Sequence, residues 1–355
     1  MSLIFVGYVI YSSRQQAKYQ EYLAEVATEE AAAAEAAGPE AEKAQSIEQA
    51  DTTAAVDRDV EIFGASLAAA RDRAAETVTM SNDYLTVEFS TAGASMHKVT
   101  LAEYTKYAPR EERNEKVVLY EPAPSHMGLE FYIRNGLNNV PVNTSEYVFT
   151  NEGVTRGDGF QKLTMRLDVA PESYLLYEYV LYDEKVPSRD YLLDFDIKLV
   201  NMAQLMANQS TVNLLWTART YQNERGYQSE NMYTTVSYRF PGEESIESLS
   251  TGDGEKQETV QNAVNWVAFK QQFFSEALIA PANFSYADVM YVTEAEDSGY
   301  IKNFSARMGL PYDAQTTQYD MSIYCGPNKY AVLSNVVDDN GDKIALERLI
   351  PLGGW

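Results

Sequence analysis

A single cysteine, Cys325, occurs among 355 residues. An intrachain disulfide is therefore excluded, and the fold must rest on its core alone. Histidine is almost as rare, with His97 and His126 the only two. No Cys/His spacing suits zinc, and no glycine-rich loop suits a phosphate. Base is scarce beside acid: 28 Lys and Arg face 52 Asp and Glu, a formal charge of −24. Phosphate recognition needs clustered cations, so no nucleic acid is expected as a partner, nor an anionic lipid surface held by a basic patch. The N-terminal apolar stretch Ser2–Ser12, SLIFVGYVIYS, has eleven residues, whereas a helix needs about 20 to span a hydrocarbon core. A signal-peptide core would carry a basic residue ahead of it and a small-residue cleavage site behind it. No base precedes Arg14, and Tyr11-Ser12-Ser13 is a poor match to such a site. Residues 1–12 therefore read as a truncated transmembrane anchor. The flank beyond Lys18 is mostly Glu, which puts it on the non-cytoplasmic side.

Residues 13–76 read as an Ala/Glu-rich linker. Its centre, Thr28–Gln45, holds too little apolar surface to fold by itself. Val60–Ala75 is at best a weak amphipathic helix. From Thr77 the pattern turns to period two. Tyr84–Phe89, Met96–Leu101, Lys162–Val169, Tyr174–Tyr182, Tyr191–Val200, Thr211–Thr217, Trp266–Gln272, Ala287–Val292 and Gln315–Tyr324 are expected strands. Tyrosine is abundant at 26 and suits sheets with one wet face, its ring apolar and its hydroxyl in need of a partner. Helical spacing appears at Lys329–Val336 and Lys343–Leu349. Gln222–Met232 and Pro241–Val260 are polar and acidic and read as long loops. The expected class is all-β, a sandwich or barrel over residues 77–350, with 351–355 leading onward.

Four segments carry a family resemblance, in order along the chain. Asn265–Pro281, NWVAFKQQFFSEALIAP, is the most specific. Asn82–Tyr107 looks like a first hairpin, with Val117–Tyr120 after it. Tyr324–Tyr330, YCGPNKY, looks like a turn before a closing helix, and Leu346–Trp355 like a lead-in to a second transmembrane helix. Together they resemble the periplasmic domain of the YidC membrane protein insertase family over residues 77–355. The resemblance implies a β-supersandwich similar to galactose mutarotase, with C-terminal helices packed on one edge. It implies an accessory domain facing the periplasm from the inner membrane, in a protein that inserts and folds inner-membrane proteins alone or with the Sec translocon. The implied partners are that translocon with its accessory subunits, nascent inner-membrane proteins, and the membrane through the N-terminal anchor. The rival reading is a periplasmic carbohydrate-binding or carbohydrate-active protein on the same sandwich.

The residues offer little chemistry. A sugar epimerase needs an acid and a base converging in one cleft, and neither His97 nor His126 falls in a central strand. Asp338–Asp342, DDNGD, fails the calcium-loop pattern and reads as an Asn-Gly turn. Cys325 reads as a buried thiol. Sequons at Asn143, Asn208, Asn283 and Asn303 are no more than chance supplies. No catalytic residue, cofactor or metal site is expected. Trp266, Phe269, Phe273 and Phe274 are expected in the core.

Overall fold

The computed structural model describes Val60 and residues 63–107, 115–119, 126–183, 188–338 and 341–351. All but Val60 belong to one compact unit, Ile62–Trp355; the other unit, Met1–Glu61, contributes Val60 alone. The anchor, most of the linker and residues 352–355 lie outside the described residues.

Three antiparallel sheets form the domain. The four-stranded sheet is β1 (Thr77–Ser81), β2 (Leu85–Ser90), β3 (Ser95–Thr105) and β4 (Lys116–Val118). The six-stranded sheet contains β5 (His126–Asn135), β6 (Asn138–Asn143), β11 (Thr211–Tyr221), β14 (Glu255–Val260), β17 (Ala287–Thr293) and β18 (Tyr300–Pro311). The nine-stranded sheet contains β7 (Thr150–Gly157), β8 (Phe160–Ala170), β9 (Ser173–Tyr182), β10 (Leu192–Val200), β12 (Thr235–Arg239), β13 (Glu247–Ser248), β15 (Val264–Lys270), β16 (Phe274–Phe284) and β19 (Gln318–Pro327).

Alternation explains the layering. Along β8, Leu163, Met165 and Leu167 are buried while the residues between them are half-exposed, the pattern of a strand with one wet face. The buried face of the nine-stranded sheet meets the other two sheets. Tyr179 of β9 packs on Phe89 of β2 at 4.7 Å between ring centroids. Phe269 of β15 stacks on Trp216 of β11 at 3.9 Å and on Phe304 of β18 at 4.8 Å. A nine-stranded floor covered by a six-stranded and a four-stranded sheet is the expected supersandwich. Buried tyrosines find partners: the Tyr179 hydroxyl donates to the Ala94 carbonyl at 2.7 Å, and that of Tyr324 to Pro327 at 2.7 Å.

The strand β15 is covered on both sides. Trp266 lies three residues before Phe269 and points the other way, its indole Nε1 donating to the Ile344 carbonyl at 2.8 Å. A strand buried on both faces reads as an unbroken apolar run, hence WVAF. The cover is the C-terminal segment, whose Leu333, Val336, Ile344, Leu346 and Leu349 are buried. Its helices are short: α3 is Tyr330–Leu333, after α1 (Ala65–Arg71) and α2 (Tyr227–Tyr233), and Leu346–Leu349 is one 3-10 turn. A bridge between Val337 and Lys343 closes the chain between them.

Several expectations change. Phe273, expected in the core, is 50% exposed. It sits in the two-residue turn closed by Gln271 N donating to Phe274 O at 2.8 Å, where neither central side chain faces the sheet. The segment Gln222–Met232 is not all loop, since it contains most of α2. Pro241–Val260 supplies β13 and β14. Ahead of Thr77, α1 buries Leu67 and Ala70 in the core, and Arg71 pairs with Glu146 at 2.8 Å.

Candidate functional site

The most specific sequence segment ends in a buried polar hub. Gln271, at the end of β15, is 1% exposed. Its side-chain oxygen accepts from Asn223 Nδ2 at 3.0 Å. Asn328, just past β19, holds the same turn, its Nδ2 donating to the carbonyls of Gln271 at 2.9 Å and Phe274 at 3.1 Å. Its Oδ1 accepts from the Ser275 hydroxyl at 2.6 Å. From α2, the buried Glu230 carboxylate accepts from the backbone N–H of Asn223 through both oxygens and from that of Glu224, each at 3.1 Å. The Asn223 carbonyl in turn accepts from Tyr107 N at 2.9 Å. Burial pushes the Glu230 carboxyl up to about 7, against the backbone donors of Glu224 and Asn223, which lower it.

Two further buried ionisable groups flank the hub strands. Lys302 Nζ donates to the Thr234 carbonyl at 2.6 Å and lies 3.7 Å from the Tyr291 ring centroid. Burial lowers its pKa to about 8. Glu276 is fully buried opposite Cys325 on β19 and Phe269 on β15. Neither of its oxygens has a hydrogen-bond partner among the described residues. Burial holds Glu276 well above the usual carboxylate range, and burial with Glu276 raises the Cys325 thiol. A thiol raised by burial is a poor nucleophile.

Around the hub, Tyr107, Met232, Tyr233, Phe273 and Tyr330 are exposed. Exposed Tyr side chains are among the residue types that anchor protein interfaces. This rim over the hydrogen-bonded Gln271–Asn328 base is the candidate site. Contrary to expectation, both histidines lie on interior strands: His97 on β3 of the four-stranded sheet and His126 at the start of β5 of the six-stranded sheet, its Nδ1 3.0 Å from the Thr217 hydroxyl. Asp338 closes a turn by accepting from Asp342 N at 2.8 Å. Among the described residues, no group of three or more His, Cys, Asp or Glu could hold a metal ion. Gln271 and Asn328 lie within the two motifs Asn265–Pro281 and Tyr324–Tyr330, but neither motif assigns them a role. Asn223 and Glu230 lie in Gln222–Met232, where no local pattern singles them out.

The family model of the YidC periplasmic domain matches residues 77–355. The chain belongs to that family. It is 30% identical over 277 residues to the membrane protein insertase YidC of Bacteroides fragilis, covering 78% of this chain and 42% of that protein. It is 29% identical over 293 residues to the YidC of Porphyromonas gingivalis, covering 81% and 44%. The chain thus spans less than half the length of these YidC relatives. Among solved structures, a galactose mutarotase-like protein from Lactobacillus casei aligns with a TM-score of 0.42 and 11% identity, over 71% of this chain and 100% of that one. A galactose mutarotase related enzyme from Lactobacillus acidophilus gives 0.38 and 11%, over 70% and 97%. Among the described residues, no helix is long and apolar enough to cross a membrane.

Proposed function

We infer that this YidC periplasmic domain is the accessory, non-catalytic domain of a membrane protein insertase. It faces the periplasm from the inner membrane, tethered through the segment ahead of α1. The match to the YidC periplasmic domain over residues 77–355 carries this reading. The clients are nascent inner-membrane proteins, and the Sec translocon with its accessory subunits is the partner. The aromatic rim around Gln271 is the surface suited to such docking.

The test has two arms. The full-length protein, reconstituted in proteoliposomes, is expected to insert a small client. This chain is expected to show no turnover by polarimetry with galactose or with chromogenic glycosides. Failure of insertion, or turnover that disappears in His97→Ala or His126→Ala, would replace the insertase reading with the carbohydrate-active one.

A further inference from the structure

Away from the hub lies a surface cleft of about 420 Å³, within the usual range of small-molecule sites, about 300–1,000 Å³. Its walls are the 203–210 segment between β10 and β11, Arg134 of β5, and Tyr312 and Asp313 just past β18. Backbone pairing sets these walls in place. Gln209 binds both backbone groups of Tyr132, its Oε1 accepting at 3.1 Å and its Nε2 donating at 3.0 Å. Arg134 N donates to Leu205 O at 2.8 Å, and Tyr312 N to Ser210 O at 3.0 Å. A preformed cleft avoids the ordering cost of binding.

The cation in the cleft is uncommitted. Acids outnumber bases 52 to 28 in this chain, and Arg166, Arg189, Arg219 and Arg307 each have a carboxylate partner. Arg134 is exposed and has none among the described residues. Asp313 stands on the same rim, its carboxylate already accepting from Gln315 N at 2.8 Å and the Thr316 hydroxyl at 3.1 Å. Burial and Asp313 raise the Tyr312 hydroxyl while Arg134 lowers it, so both charges act within this one cleft. The buried Met206, with Ala207 and Ala314, adds apolar lining.

We propose that this cleft binds a small monoanionic carboxylate with a short aliphatic body, its carboxylate on Arg134 and its body against Met206. The guanidinium fork matches the two oxygens of a carboxylate. Asp313 and the surplus of negative charge disfavour a dianion such as phosphate. Asn208 and Ser210 add polar groups that orient the ligand.

N-acetylalanine is the probe, its C-terminal amide the neutral twin, and inorganic phosphate the dianion, each titrated into the 355-residue chain by calorimetry. Saturable millimolar binding is expected for the acid alone. Arg134→Gln is expected to weaken it at least tenfold and Arg134→Lys less, while Arg156→Gln, an exposed arginine on β7, leaves it unchanged. Melting curves of each variant separate loss of binding from loss of fold. The proposal is overturned by absence of saturable binding, by equal binding of the amide, by preference for phosphate, or by an Arg134→Gln variant that folds and binds as before.

Discussion

Asp196 lies half-buried on the outer face of the nine-stranded sheet, directly between Glu178 of β9 and Asp320 of β19. Glu178 is neutralised by Lys162 at 2.8 Å and Lys198 at 2.7 Å. Asp196 has no such relief: burial, then Asp320, Asp194 and Glu178, raise it to about 6 against the pull of Lys198. An unfolded Asp titrates at about 4. With the folded pKa the higher, the gain from protonation is complete below about pH 4 and is lost as the pH rises through about 6. Asp196→Asn is therefore expected to stabilise the domain at pH 7.5 by about 1 kcal/mol, after allowance for solvent screening. At pH 3.5 it should change little. Urea denaturation at both values checks this, and an equal effect at both would refute the assignment to repulsion.

Among the elements, α1 alters the domain boundary most. Composition places the start of the fold at Thr77, because the Ala/Glu letters before it carry few large apolar side chains. Leu67 is nevertheless fully buried, and the Ala70 carbonyl accepts from Val148 N at 2.9 Å. Arg71 packs over both Phe63 and Tyr147, at 4.4 and 5.1 Å from their ring centroids. Leu67→Ala is expected to cost about 2–4 kcal/mol, the usual range for a buried leucine. A fragment beginning at Phe63 should accordingly melt higher than one beginning at Thr77. Equal melting temperatures would show that α1 rests on the sandwich without supporting it. One leucine and a few alanines give no readable amphipathic period, and only the surface of β8 and the Tyr147 region gives α1 a place to bury them.

For the molecule as a whole, the C-terminal segment covers the outer side of β15 and ties the last described residues to the sandwich. In the full-length protein, Leu333→Asp with Val336→Asp places charge in this buried seam. We expect insertion of a small client to fall severalfold at equal protein level. Leu137→Asp, at the fully exposed β5–β6 turn, should leave it unchanged. The reverse order of effects would show that the domain acts through its hairpin tips.

The sequence by itself determined the all-β class, the lack of disulfides and the family. Period-two alternation in β8, β9 and β10 needs only one buried face to be legible, whereas the second cover over Trp266 comes from the C-terminal segment and appears only in the fold. Tertiary structure decided which apolar residues leave the core and which polar ones enter it. Phe273 is exposed because the Gln271–Phe274 turn, pinned by Asn328 from another strand, aims it away from the sheets. Glu230 is buried because loop N–H groups at Asn223 and Glu224 await an acceptor. Such partners lie far apart along the chain or in segments without periodicity, and local pattern carries no record of them. The Arg134 cleft follows the same logic, since its walls come from three separate stretches that meet only when the six-stranded sheet has formed.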